Sequence, residues 1–183
     1  MATQDNETLT PRFCPNRRTF LIGSGATIVG TLLLPALPGM NGKALAAQVA
    51  RYPRMHIGSL SELKPGKPLR FKYPDNTSSA SSLLIRLGEP AGGGIGADRD
   101  VVAFNSRCTH MGTSLSRDYK AEHQILGPCS FHMSSYDLTR HGIVISGHAT
   151  ESLPQVLLET EGEDIYAVGL ICLIYGRYDN LKA

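Results

Sequence analysis

Long amphipathic helical patterns, heptads and internal repeats are all missing from this sequence, which excludes helical bundles, coiled coils and solenoids. Charge of one sign is missing as well. Lys plus Arg number 18 and Asp plus Glu 16, a net charge of +2 that offers no electrostatic footprint for nucleic acid. Cysteine is scarce: four in 183 residues, too few for a disulfide framework. Glycine (19) and proline (11) are plentiful, and they punctuate short apolar runs. That balance favours a turn-rich β protein, and the length suffices for one domain with its own core.

The amino terminus reads as a targeting segment. Residues 16–21 are Asn-Arg-Arg-Thr-Phe-Leu, an uncharged run extends from Thr19 to Gly42, and Lys43-Ala44-Leu45-Ala46-Ala47 follows. A basic region, a moderately apolar stretch and an Ala-x-Ala site make an export signal. The Arg17-Arg18 pair resembles the twin-arginine type, whose passengers cross the membrane folded and often already carry a cofactor. The expected division is a signal over 1–46 and a mature domain over 47–183, with a periplasmic location. Left uncleaved, the same segment would attach the protein to the inner membrane, since its uncharged run just reaches the ~20 residues a bilayer needs. Cys14 leaves with the signal; Cys108, Cys129 and Cys172 stay.

In the mature part, strands are expected in 50–60, 67–74, 83–89, 101–106 and 142–147, and in the paired runs QVLLETEG and DIYAVGLICLIYG, with a turn at Glu161-Gly162-Glu163. DNTSSASS (75–82) reads as a polar loop, and a short helix is expected near Ser114–Tyr119. The fold class that follows is all-β, with antiparallel sheets forming a sandwich or partial barrel. Gly92, Gly94 and Ala97 match the loose dinucleotide-binding pattern, but DRDVVAF follows where a phosphate-binding helix would have to start, so this is a surface loop. Cys172, inside GLICLIYG, is expected as a buried small hydrophobe.

The chemistry lies in RCTHMG and PCSFHMSSYD. Cys108-x-His110 is followed by 18 residues and then Cys129-x-x-His132. Each pair is close enough for one tight loop to aim both side chains into one site. Zinc accepts two thiolates and two imidazoles, although its finger arrangement groups like with like, and a zinc-stabilised interaction module stays open on the residues alone. A two-iron cluster with two thiolates on one iron and two imidazoles on the other takes the same set; its less negative charge raises the potential to between about −150 and +300 mV. His123, His141 and His148 lack ligand-like spacing and read as solvated.

The motifs CTH-MG and PCSFH-x-S-x-Y-D resemble the two cluster-binding loops of the Rieske iron–sulfur family, over roughly residues 100–155. The resemblance implies a Rieske-type antiparallel fold with an inserted cluster-binding subdomain near 105–150, and a [2Fe–2S] cluster. It implies Cys108 and Cys129 as ligands of one iron, and His110 and His132 as ligands of the other through their δ nitrogens. Ser134 and Tyr136 fall where high-potential members place hydroxyls that donate to a bridging sulfide and a cysteine sulfur and raise the potential. Gly147–Pro154 matches the loop that covers the cluster's third side. Thr113 and Phe131 occupy the positions of a disulfide found in cytochrome bc members, so the loops are expected to be pinned by the cluster, by packing of Phe131 and by hydrogen bonds. These features together are most similar to the small subunits of bacterial arsenite oxidases. That resemblance implies an electron-transfer role without substrate chemistry on this chain. It also implies a large molybdopterin and iron–sulfur subunit as partner, and a periplasmic cytochrome c or azurin-like blue-copper protein as acceptor. The Rieske subunit of a membrane quinol-oxidising cytochrome complex is the alternative.

Overall fold

SSLLIR and VVAFN carry apolar residues on consecutive positions, a pattern suited to strands covered on both faces. The computed structural model describes residues 51–181, and in it these runs are β3 (Ser81–Arg86) and β4 (Val101–Asn105), paired antiparallel at the centre of a six-stranded sheet. The other members are β1 (Met55–Ser59), β2 (Leu69–Lys72), β9 (Gln155–Glu161) and β10 (Asp164–Ile171), in the order β1-β10-β9-β4-β3-β2. The pleat sends Leu84, Val101 and Ala103 into a core shared with Ile57, Tyr73, Val156, Ile165 and Ala167. It sends Leu83, Ile85, Val102 and Phe104 into a second core on the opposite face. The edge strands β1 and β2 face each other across a cleft of about 680 Å³ lined by His56, Ile57, Leu69 and Phe71 among others, so the sheet curls into an incomplete barrel.

The second core is completed by an insertion. β4 and β9 are neighbours in the sheet (Ala103↔Val156, Phe104↔Gln155), yet about 50 residues of chain separate them. That excursion forms a four-stranded antiparallel sheet of β5 (Tyr119–Lys120), β6 (Ile125–Leu126), β7 (Ser135–Asp137) and β8 (Ile143–Ser146), in sequential order. Leu126, Tyr136 and Leu138 from this small sheet pack with Leu83, Ile85 and Phe104 from the large one. Gln124 fastens the two with a hydrogen bond donated by Nε2 to the Leu87 carbonyl at 2.8 Å.

All seven expected strands are present, as is the turn at Gly162; six have shorter ends, while β3 is shifted towards the amino terminus and starts at Ser81, within the run read as the polar loop. Two expected elements are corrected, and three short strands are additional. No helix forms near Ser114–Tyr119: Leu115 N–H bonds the Ser106 carbonyl and Ser114 bridges Arg107, which turns that backbone towards its neighbour instead of onto itself. β5, β6 and β7 are two or three residues long, too short to show an apolar period. The last apolar run is not strand throughout. β10 ends at Ile171, opposite the first residue of β9, and Cys172 is exposed with φ +68°. Asn180 takes over the backbone there, accepting Ile174 N–H at 2.9 Å and donating to the Cys172 carbonyl at 2.8 Å. The signal assigned to 1–46 lies outside the described residues.

The polar loop after β2 anchors this final segment. Arg177, 8% exposed, donates to Asp75 Oδ2 at 2.7 Å, Asp75 Oδ1 at 3.1 Å, Ser79 Oγ at 2.8 Å and the Asn180 carbonyl at 2.9 Å. The guanidinium holds the Asp75 carboxyl well below the usual carboxylate range, assisted by Thr77. A depressed carboxyl stabilises the fold above its unfolded pKa of about 4, and that contribution disappears as pH falls from there through the folded value. Asp75→Asn is therefore expected to lower stability at neutral pH by about 1 kcal/mol, allowing for partial solvent exposure. Urea unfolding from pH 7 to pH 3 should show the wild type losing that margin on acidification and the variant losing less.

Candidate metal centre

The four Cys and His side chains singled out in the sequence come together as two pairs on two loops of the inserted subdomain, Cys108 with Cys129 and His110 with His132. Cys108 and His110 come from the loop between β4 and β5, Cys129 and His132 from the loop between β6 and β7. The two loops are built alike despite their different Cys-to-His spacing. Cys108 N–H bonds the Thr113 carbonyl and Gly112 N–H the Cys108 carbonyl, both at 2.8 Å. Cys129 N–H bonds the Ser134 carbonyl at 2.8 Å, and Met133 N–H the Cys129 carbonyl at 2.9 Å. Each loop thus closes with a residue in the left-handed region four positions after its cysteine: Gly112 at φ +71° and Met133 at φ +58°.

This folding buries both thiols, at 1% and 2% exposure, and leaves the histidines half-buried. The His110 and His132 rings cross edge-to-face with centroids 4.6 Å apart. Among the described residues nothing bonds His132 Nδ1, which is buried, and a buried ring nitrogen without a partner is what a metal ligand looks like with its metal removed. Burial pushes the Cys108 thiol up, but the Tyr136 hydroxyl, the His110 and Met111 N–H groups and the Cys129 thiol outweigh burial and hold it below its ordinary value. At Cys108 these donors work in favour of the thiolate, the form a metal takes.

One hydroxyl touches a site sulfur, and a second is buried in the second loop. Tyr136 Oη lies 3.2 Å from Cys108 Sγ and accepts Thr109 N–H at 3.1 Å. Thr109 Oγ1 donates to the Glu151 carbonyl at 2.8 Å, leaving the tyrosine proton for Cys108 Sγ or Thr109 Oγ1. Burial and the adjacent thiol raise the Tyr136 pKa, so the phenol stays a donor. Ser134 Oγ, fully buried, accepts N–H groups from His148 at 3.1 Å and Ala149 at 3.0 Å. A hydroxyl has two acceptor positions and one proton. Both acceptor positions are filled, and among the described residues no acceptor takes the proton. Two thiols, two imidazoles, an orphaned ring nitrogen and an unspent hydroxyl proton fit a [2Fe–2S] cluster with one iron on sulfur and the other on nitrogen.

The 147–154 loop lies against both site loops, and Gly147 is what permits it. A Cβ there would lie 2.3 Å from the Ser134 backbone, on top of a φ of +88°. His148, expected to be solvated and near the cluster loops, is exposed, with its ring centroid 5.8 Å from His110 and 5.6 Å from His132. Its position beside Ala149 was the available signal, since both amides serve Ser134. His141 is likewise not free: its Nδ1 meets Gln155 Oε1 at 2.7 Å, and Gln155 Nε2 donates to the Gly92 carbonyl, so the glycine loop is a clamped structural turn. Phe131 does not pin the loops; it is 62% exposed, edge-on to His132.

The fold and this centre define a Rieske protein, and the chain belongs to that family: the Rieske [2Fe–2S] domain profile matches residues 54–157. Its cofactor is a Rieske-type [2Fe–2S] cluster. Over nearly its whole length the chain is similar to the iodate reductase subunit IdrB of Pseudomonas sp. (strain SCT), 55% identical over 97% of this chain and 90% of that one. The iodate reductase subunit IdrB of Denitromonas iodatirespirans is 54% identical over 92% and 88% respectively. Among solved structures, the soluble domain of Rieske protein II from Sulfolobus acidocaldarius shares the fold, with a TM-score of 0.58 at 23% identity over 69% of this chain and 82% of that one.

Gly147→Ala is expected to force the covering loop off Ser134, at a cost of about 3 kcal/mol. The purified variant should show a lower unfolding midpoint and less than half the wild-type iron; wild-type values of both would contradict the close approach.

Proposed function

We propose that Cys108 and Cys129 bind one iron of the cluster and His110 and His132 the other, and that this chain is the electron-transfer subunit of an iodate reductase. The observation that carries the ligand assignment is the convergence of two buried thiols and two imidazoles with an unpartnered His132 Nδ1. What supports the substrate is identity above 50% across nearly the full length of two iodate reductase subunits.

When bound, the cluster supplies a one-electron couple. The chain's own residues tune and expose it. Ser134 and Tyr136 direct protons at the sulfur side, where they favour the extra electron. The covering loop keeps water from that side. His110 and His132, half-buried at the tip, give the short path to a partner.

No residue here reduces iodate; a large catalytic subunit, of the molybdopterin and iron–sulfur type by resemblance, does so. Reduction consumes electrons, so this chain hands them to that subunit after taking them from a periplasmic donor such as cytochrome c. That flow is opposite to the one implied by arsenite oxidation. Export by the twin-arginine route, signalled by Arg17-Arg18, belongs to the same reading.

The test is redox titration of the purified native complex. Iodate should reoxidise the reduced cluster, and only with the large subunit present. Arsenite reducing the oxidised cluster, with iodate inert, would restore the arsenite reading in its place.

A further inference from the structure

Thr113 and Phe131 cannot cross-link the two loops, and Phe131 points into solvent. The second loop is held without such a link, because Gly147 packs on the Ser134 backbone and two amides hold Ser134 Oγ. The first loop needs its own restraint, and the segment after β10 provides one. A Cβ at Gly112 would lie 2.5 Å from Tyr175 Cδ1 and 2.8 Å from Cε1, so the tyrosine ring lies directly against the glycine that closes the first loop. We propose that Tyr175 is a positioning residue for the cluster, clamping the Cys108–His110 loop in place of the missing disulfide. This rests on the ligand assignment above.

The clamp is anchored at both ends by one short polar stretch. Ile174, preceding Tyr175, is fully buried with its N–H on Asn180 Oδ1, and Arg177, two residues on, is locked to Asp75 and Ser79. From the other side, Arg107, next to Cys108, donates Nε and Nη2 to the Ser78 carbonyl at 3.1 and 2.9 Å, and Nη1 to the Gly112 carbonyl at 3.3 Å. Residues 75–79 thus fix both the ring and the glycine it presses. Among the described residues the Tyr175 hydroxyl makes no hydrogen bond, so the ring carries the effect. At 42% exposure it contributes little to the cores. Its removal is therefore read at the cluster before it is read in the fold.

The experiment compares purified holoprotein of the wild type, Tyr175→Ala, Tyr175→Phe and Tyr178→Ala, the last a fully exposed control. Iron release to a chelator is followed well below the unfolding midpoint, with circular dichroism confirming the folded state, and reduced EPR spectra are recorded. Tyr175→Ala should release iron about fivefold faster and shift or broaden the EPR line, the effect of losing one aromatic packing contact. Tyr175→Phe and Tyr178→Ala should match the wild type. Should Tyr175→Ala not accumulate, Tyr175→Leu carries the same comparison. Wild-type release and line shape in the tyrosine-less variant would overturn the clamp. A wild type without a Rieske signal would overturn the ligand assignment beneath it, a distinguishable failure.

Discussion

Burying two cysteine sulfurs inside an apolar core is the constraint on which the rest of this structure depends. Burial alone opposes ionisation, so the site must bring donors to the sulfur. For Cys108 it does so first with the Tyr136 hydroxyl, then with the His110 amide, the Cys129 thiol and the Met111 amide. Each cysteine heads a loop that closes on itself through two N–H bonds, and the loop's own amides, with Tyr136, surround Cys108. Left-handed positions at Gly112 and Met133 are the local condition for that closure, and a glycine at 147 is the condition for covering it.

The double-faced central strands serve the same end. Leu83, Ile85, Val102 and Phe104 form a rigid floor for the inserted sheet, and Leu126 and Tyr136 stand on it. Tyr136 thereby joins packing to electrostatics: its ring belongs to the core while its hydroxyl reaches Cys108 Sγ. Because β4 and β9 pair on either side of the insertion, the loop after β4 and the loop before β9 start side by side, and Thr109 can bond Glu151. The topology delivers three loops to one point.

Much of this was legible in the sequence because it is written in side chains. Alternating Cys and His, the Ser134 and Tyr136 positions, and the longer strands all carry local signals. What was not legible depends on backbone meeting backbone at long range. The two-residue strands β5 and β6 have no period to detect. Cys172 lies in an apolar run, and only the distant Asn180 shows why the strand stops short of it. Phe131, apolar and beside a ligand, suggested packing; the loop's geometry turns it outward. The contact between Tyr175 and Gly112 leaves no trace in sequence, since neither residue is unusual for its neighbourhood.

The proposed ligand set puts two histidines, His110 and His132, on the cluster. Pulsed EPR of the reduced protein, with ¹⁵N-labelled histidine, counts the nitrogens coupled to the spin. Two inequivalent histidine nitrogens are expected in the wild type, with one lost or the signal abolished in His132→Ala. A cluster signal with no coupled histidine nitrogen, or one unchanged in that variant, would contradict the assignment.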